Sequence, residues 1–188
     1  MTAHTKLIPS ASQTVGPYFR IGLQYMIDRE VASLSPSDAI ELRGKVIDRD
    51  GSPVPDALLE FWSAGDASMT AESGSHENGL PSGFRRVATD ENGNYSATVM
   101  KPTPIQFAGG RTQAPHFLVL FFARGLLRHL LTRVYFANDS TNDADPVLLQ
   151  VPAERRHTLI AQSGSSDGHI FHWNVTLQGK DETVFFAW

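Results

Sequence analysis

The chain has 188 residues, with 16 Lys and Arg against 20 Asp and Glu, and no cysteine. That length suits one domain, and 41% apolar with 19% charged residues is enough to build a packed core. The formal charge of −4 argues against a dedicated binder of nucleic acid or anionic membranes; the lack of cysteine excludes disulfides, cysteine-ligated zinc, iron–sulfur clusters and thiol catalysis.

Residues 1–41 read as an N-terminal arm. They open without an apolar stretch of the signal-peptide kind. The longest apolar run, residues 117–123, is too short to span a bilayer, so a cytoplasmic location is expected. Gly16-Pro17 precludes regular helix or central strand at that point. Residues 21–34 read as a short helix, ended by Ser-Pro-Ser-Asp at 35–38.

From Leu42 the pattern becomes that of strands, and residues 42–188 read as one domain. Leu42 to Trp62 gives two strands around an Asp50-Gly51 turn, with Pro53 and Pro55 holding the return extended. Residues 63–82 are Gly/Ser-rich and read as a long loop. Strands follow at 84–89 and 95–99, separated by the turn Asp90 to Asn94. Phe117 to Phe122 is a buried-strand run, with Leu130 to Phe136 as its partner. Residues 153–162, opened by Pro152, read as helix, and 170–177 and 183–186 as closing strands. Many short strands and little helix predict an all-β fold, a β-sandwich with an arm and one or two short helices.

The chemistry-bearing residues give few strong patterns. Two ligands on one strand need i, i+2 spacing to share a face, and none of the seven histidines forms His-x-His. His169 and His172 stand at i, i+3 on a strand and so face opposite ways. His116 opens an apolar strand whose same-face partner is Leu118. Nucleophile elbows and phosphate loops have no counterpart here, and Asp48, Asp50, Asp90 and Glu91 read as turn acids. Arg133 shares a strand face with Tyr135 in an otherwise apolar run. It must reach water, an internal carboxylate or a ligand, and an anionic ligand is one that guanidinium holds by a two-pronged contact.

Together the segments SQTVGPYF, LRGKVIDRDGSPVPDALLEFWSA, GFRRVATDENGNYSATVMKPTPI, APHFLVLFFARGLLRHLLTRVYF, ERRHTLIA and GKDETVFFAW resemble the intradiol ring-cleavage dioxygenases. The resemblance runs over nearly the whole chain after residue 10 and implies a prealbumin-like β-sandwich. It also implies oxygen-dependent opening of a catechol ring at a ferric centre held by two tyrosines and two histidines. The positions matching those ligands fall on Thr70, Ile105, His116 and Leu118, and the matching catalytic arginine falls on Gln113. Only His116 keeps a ligand side chain. The resemblance therefore implies a non-catalytic chain, with no metal of its own, paired with a homologous Fe(III)-binding chain in a larger hetero-oligomer. It further implies that Thr14, Gly16, Pro17 and Arg133 lie near the partner's active-site mouth, toward a carboxylated catechol and O₂. Tyr18 is left between an interface and a cleft role. Two other readings are a β-sandwich binding module without catalysis and a self-sufficient dioxygenase with atypical ligands.

Overall fold

The computed structural model describes residues 10–16, 18–23, 39–63 and 83–187. A short helix, α1 (Tyr18–Gly22), belongs to the arm. The strands are β1 (Ala39–Ile47), β2 (Leu58–Ser63), β3 (Phe84–Ala88), β4 (Asn94–Met100), β5 (Ile105–Phe107), β6 (Arg111–Gln113), β7 (His116–Phe122), β8 (Leu130–Phe136), β9 (Ile160–Ser163), β10 (Ile170–His172) and β11 (Val175–Thr176). Short 3₁₀ turns join them at Ala108–Gly110, Ser140–Ala144, Leu148–Gln150 and Ala153–Leu159.

β3, β2, β7 and β8 form one antiparallel layer. The other is centred on β1, which pairs antiparallel with β4 and parallel with β10 and β11. β9 links the layers, running parallel to β8 and antiparallel to β10. The core lies between them. β4 alternates exposed and buried residues, turning Tyr95, Ala97 and Val99 inward. Phe61 and Phe117 face them from β2 and β7, and the Phe61 and Tyr95 rings sit 6.0 Å apart across the layers. This two-layer packing is the sandwich that the strand pattern predicts.

The turns form as their residues dictate. Asp48 Oδ1 accepts from Asp50 N and Ser52 N, both at 3.0 Å, and Asp90 Oδ1 accepts from Asn92 N and Asn94 N. Gly44 is required for a different reason. A Cβ there would stand 1.8 Å from Trp173 O and 2.7 Å from the Tyr95 hydroxyl, which itself donates to Trp173 O at 2.7 Å. The bare backbone lets β1, β4 and the 173 corner close on that buried hydrogen bond.

The Asp50-Gly51 turn forms as expected, with Ile47 bridged antiparallel to Pro53, and β1 and β2 then fall in different layers. Three expectations are corrected. Residues 153–162 form a 3₁₀ segment that gives way to β9, because Ile160 and Ala161 pair with Tyr135 and Phe136. Residues 170–177 split into β10 and β11, both following β1. The last predicted strand is reduced to one bridge, Leu131 to Phe186. Of the predicted helix at 21–34, residues 24–34 lie outside the described residues, and α1 begins earlier, at Tyr18.

Candidate functional site

Register brings the chemistry-bearing residues together at one end of the β7–β8 pair. His116 stands opposite Tyr135, and Leu118 opposite Arg133. Thr132 and Val134 point into the core, which leaves Arg133 on the outer face with Leu118. Arg133 Nη1 donates to Gln113 Oε1 at 2.9 Å and to the Tyr135 hydroxyl at 3.3 Å. That hydroxyl donates in turn to Asp145 Oδ1 at 3.1 Å.

Asp145 is fully buried and anchors the cluster. Its Oδ1 also accepts from Val147 N at 2.8 Å and Leu148 N at 2.7 Å, and its Oδ2 from Ala114 N at 2.8 Å. One carboxylate thus ties the β6–β7 junction, β8 and the turn at Leu148 into a single unit. Asp145 escapes a search for catalytic motifs, but Asp-Pro just ahead of a turn is a capping signature that could have found it.

No carboxylate forms an ion pair with Arg133 among the described residues; the pairs present are Arg20–Asp56, Arg43–Glu41, Arg86–Glu60, Arg124–Asp56 and Arg155–Glu182. The internal salt bridge offered as one reading of Arg133 is therefore not found there. The guanidinium is held by neutral oxygens, and its Nε and Nη2 donate to no described residue. Such a group keeps both charge and donors for an anion.

His116 is buried, and its Nδ1 meets Ala114 O at 2.8 Å. Burial holds its imidazole below the usual range, and the Arg133 charge adds to this, while the Ala114 contact works the other way. Burial likewise raises the Tyr135 phenol. Below about pH 6.5 the unfolded chain binds at His116 a proton that the folded chain resists, so this residue's contribution to stability is complete above that pH and falls as pH drops. Unfolding midpoints taken between pH 5 and 7.5 are expected to show a smaller acid-side decline in His116→Phe than in the parent chain.

The arm residues lie elsewhere. Thr14 Oγ1 accepts from Gly125 N at 2.8 Å, beyond the opposite end of β7 from His116. Gly16 adopts φ +63°, and a Cβ there would meet nothing within 4 Å, so backbone conformation alone calls for glycine. Within one chain, Thr14 and Gly16 are not brought to Arg133. Pro17 and Thr70 lie outside the described residues. Ile105 pairs with Gln113 in the β5–β6 ribbon, and Leu118 faces outward beside Arg133.

Hydrocarbon side chains at 105 and 118 cannot ligate iron, so the donor set here does not fit a ferric centre. Among the described residues no group of three or more His, Cys, Asp or Glu is placed to hold a metal ion. No helix of the described residues is long and apolar enough to cross a membrane.

The family described as Dioxygenase matches residues 16–179, and the chain belongs to this intradiol dioxygenase family. The particular likeness is to the alpha chain of protocatechuate 3,4-dioxygenase from Burkholderia cepacia, 39% identical over 97% of this chain and 98% of that protein. The protocatechuate 3,4-dioxygenase beta chain of the same organism is 26% identical over 78% of this chain and 67% of its own length. In fold, the dioxygenase domain of a dioxygenase carbohydrate-binding protein fusion from Streptomyces sp. SirexAA-E matches with a TM-score of 0.57 at 18% identity, covering 96% of this chain and 97% of that one.

Proposed function

We propose that this chain is the non-catalytic, alpha-type subunit of a protocatechuate 3,4-dioxygenase. Its partner is a homologous beta-type chain that carries the Fe(III). The pair, within a cytoplasmic hetero-oligomer of αβ units, supports intradiol cleavage of protocatechuate by O₂ to 3-carboxy-cis,cis-muconate. The observation that carries this reading is full-length likeness to an alpha chain combined with carbon side chains at two positions where the family places metal ligands. A sandwich that keeps its core but not its donors retains the means to dock and position, not to bind iron.

In this reading Arg133 is the main contribution to the substrate. Protocatechuate is an anion at neutral pH, and a guanidinium held by Gln113 and Tyr135 presents a fixed positive charge that no acid among the described residues pairs with. Thr14, Gly16 and Pro17 are the second contribution; the positive φ of Gly16 and its lack of a Cβ let backbone approach a planar ring. These two groups lie apart within the chain, so in this reading each faces a beta-type chain across its own boundary.

The test is iron content and ring-cleavage activity of this chain purified alone and with the beta-type chain of its own organism. Iron and activity are expected only in the co-purifying complex, at one iron per αβ pair. Stoichiometric iron with turnover in the isolated chain would sink the proposal and favour atypical ligation.

A further inference from the structure

We propose that Gln113 is a specificity-determining residue of the assembled enzyme: its neutral amide aims the Arg133 guanidinium and leaves that charge for a carboxylated ring. This rests on the reading of Arg133 given above. Gln113 ends β6 and is buried, at 6% exposure. Its Oε1 accepts from Arg133 Nη1 at 2.9 Å, a shorter contact than the 3.3 Å from the same nitrogen to the Tyr135 hydroxyl. The bond joins β6 to β8, two strands that do not pair with each other. It is therefore a side-chain contact between separate elements, and it fixes where the guanidinium lies.

The neighbours of Arg133 along its own strand and across from it carry no charge. Leu131 and Tyr135 share its face of β8, and Leu118 stands opposite on β7. The acid that its hydrogen bonds lead to is Asp145, and the Tyr135 hydroxyl stands between the two. That hydroxyl accepts from Arg133 at 3.3 Å and donates to Asp145 Oδ1 at 3.1 Å. Asp145 also serves the backbone N–H groups of Ala114, Val147 and Leu148, which hold its carboxylate in place. The side chain at 113, in direct contact, thus decides whether Arg133 is neutralised from within its own chain.

Glutamine and glutamate have nearly the same shape, so at this position they differ in one charge, placed at hydrogen-bond distance from a guanidinium nitrogen and largely withdrawn from water. A carboxylate there would take the charge-assisted contact that a ligand carboxylate otherwise takes, and would repel that ligand as well. The amide oxygen supplies the orienting hydrogen bond without the competition. Orientation has its own value, because a long side chain already held in its binding geometry loses less freedom when the ligand arrives. Gln113 thus does two things at once: it positions the cation and it declines to neutralise it.

The experiment uses the full-length chain assembled with the beta-type chain of the same organism. It measures kcat and KM for protocatechuate, and the binding constant of neutral catechol as a competitor. Gln113→Glu is expected to raise KM for protocatechuate about tenfold or more with kcat little changed, and to leave the catechol constant within about twofold. Gln113→Leu, which removes the orienting oxygen and adds no acid, is expected to raise KM by a smaller factor, about threefold. Thermal unfolding of each complex confirms that it is folded. A purely structural role for Gln113 moves both ligands together, so equal losses for protocatechuate and catechol overturn the proposal. Arg133→Met, measured alongside, separates the two readings. If it raises KM while folded Gln113→Glu and Gln113→Leu complexes keep the wild-type value, the role of Gln113 is overturned and that of Arg133 stands. If Arg133→Met also keeps the wild-type KM, both are overturned. A wild-type complex without ring-cleavage activity overturns the subunit reading and this proposal with it.

Discussion

Asp145→Ala is expected to lower the stability of the chain by about 3–5 kcal/mol, the largest effect of any single truncation near the site. The reason is the number of donors that one buried carboxylate serves. Removing it strands the backbone N–H groups of Ala114, Val147 and Leu148 together with the Tyr135 hydroxyl. Each unsatisfied buried donor costs about 1–3 kcal/mol, less where water enters the space left behind. Asp145→Asn should cost less, because one oxygen can still serve the Oδ1 donors. Its amide nitrogen then faces the Ala114 N–H, however, and the two donors oppose each other. Urea unfolding monitored by tryptophan fluorescence checks both values. A loss below about 1 kcal/mol for the alanine variant would show that the cluster does not depend on its carboxylate.

Arg133→Met in the assembled complex is expected to reduce kcat/KM for protocatechuate between about tenfold and a hundredfold, mainly through KM. A charge-assisted hydrogen bond to a carboxylate contributes about 1.5–3 kcal/mol, and each factor of ten corresponds to about 1.4 kcal/mol. Arg133→Lys should recover part of the loss, because the charge returns without the planar fork. The readout separates recognition from structure. If Arg133 only organises Gln113 and Tyr135, the methionine variant changes the unfolding midpoint and leaves KM where it was. The contrast with a neutral catechol sharpens the point: without a carboxylate, the substrate should respond little to the substitution.

The two predictions concern neighbouring groups, and the Tyr135 hydroxyl connects them by accepting from Arg133 and donating to Asp145. The sequence shows why Arg133 and Tyr135 share a face, since period-two alternation fixes it. It also pairs the strand at 117–122 with that at 130–136, because two apolar runs separated by a short loop have few other partners. It does not show that Asp145 belongs with them, since that contact depends on how residues 139–151 fold back. Nor does it show that Arg133 lacks a carboxylate partner among the described residues. Side chains far apart in the chain decide an ion pair, and no local pattern records their distance.

Taken by itself, the sequence determined the sandwich class, most strand positions and the side chains that cannot bind iron, because alternation, turn residues and ligand chemistry are all properties of local stretches. Ile105 and Leu118 are hydrocarbon wherever the chain places them. The tertiary structure alone decided which strands lie side by side, as with β1 and β2 in opposite layers and β9 captured by β8 where helix was expected. It alone set Arg133 among neutral oxygens. Those outcomes depend on hydrogen bonds and burial between residues distant in sequence, and such contacts are fixed only when the whole chain has closed on its core.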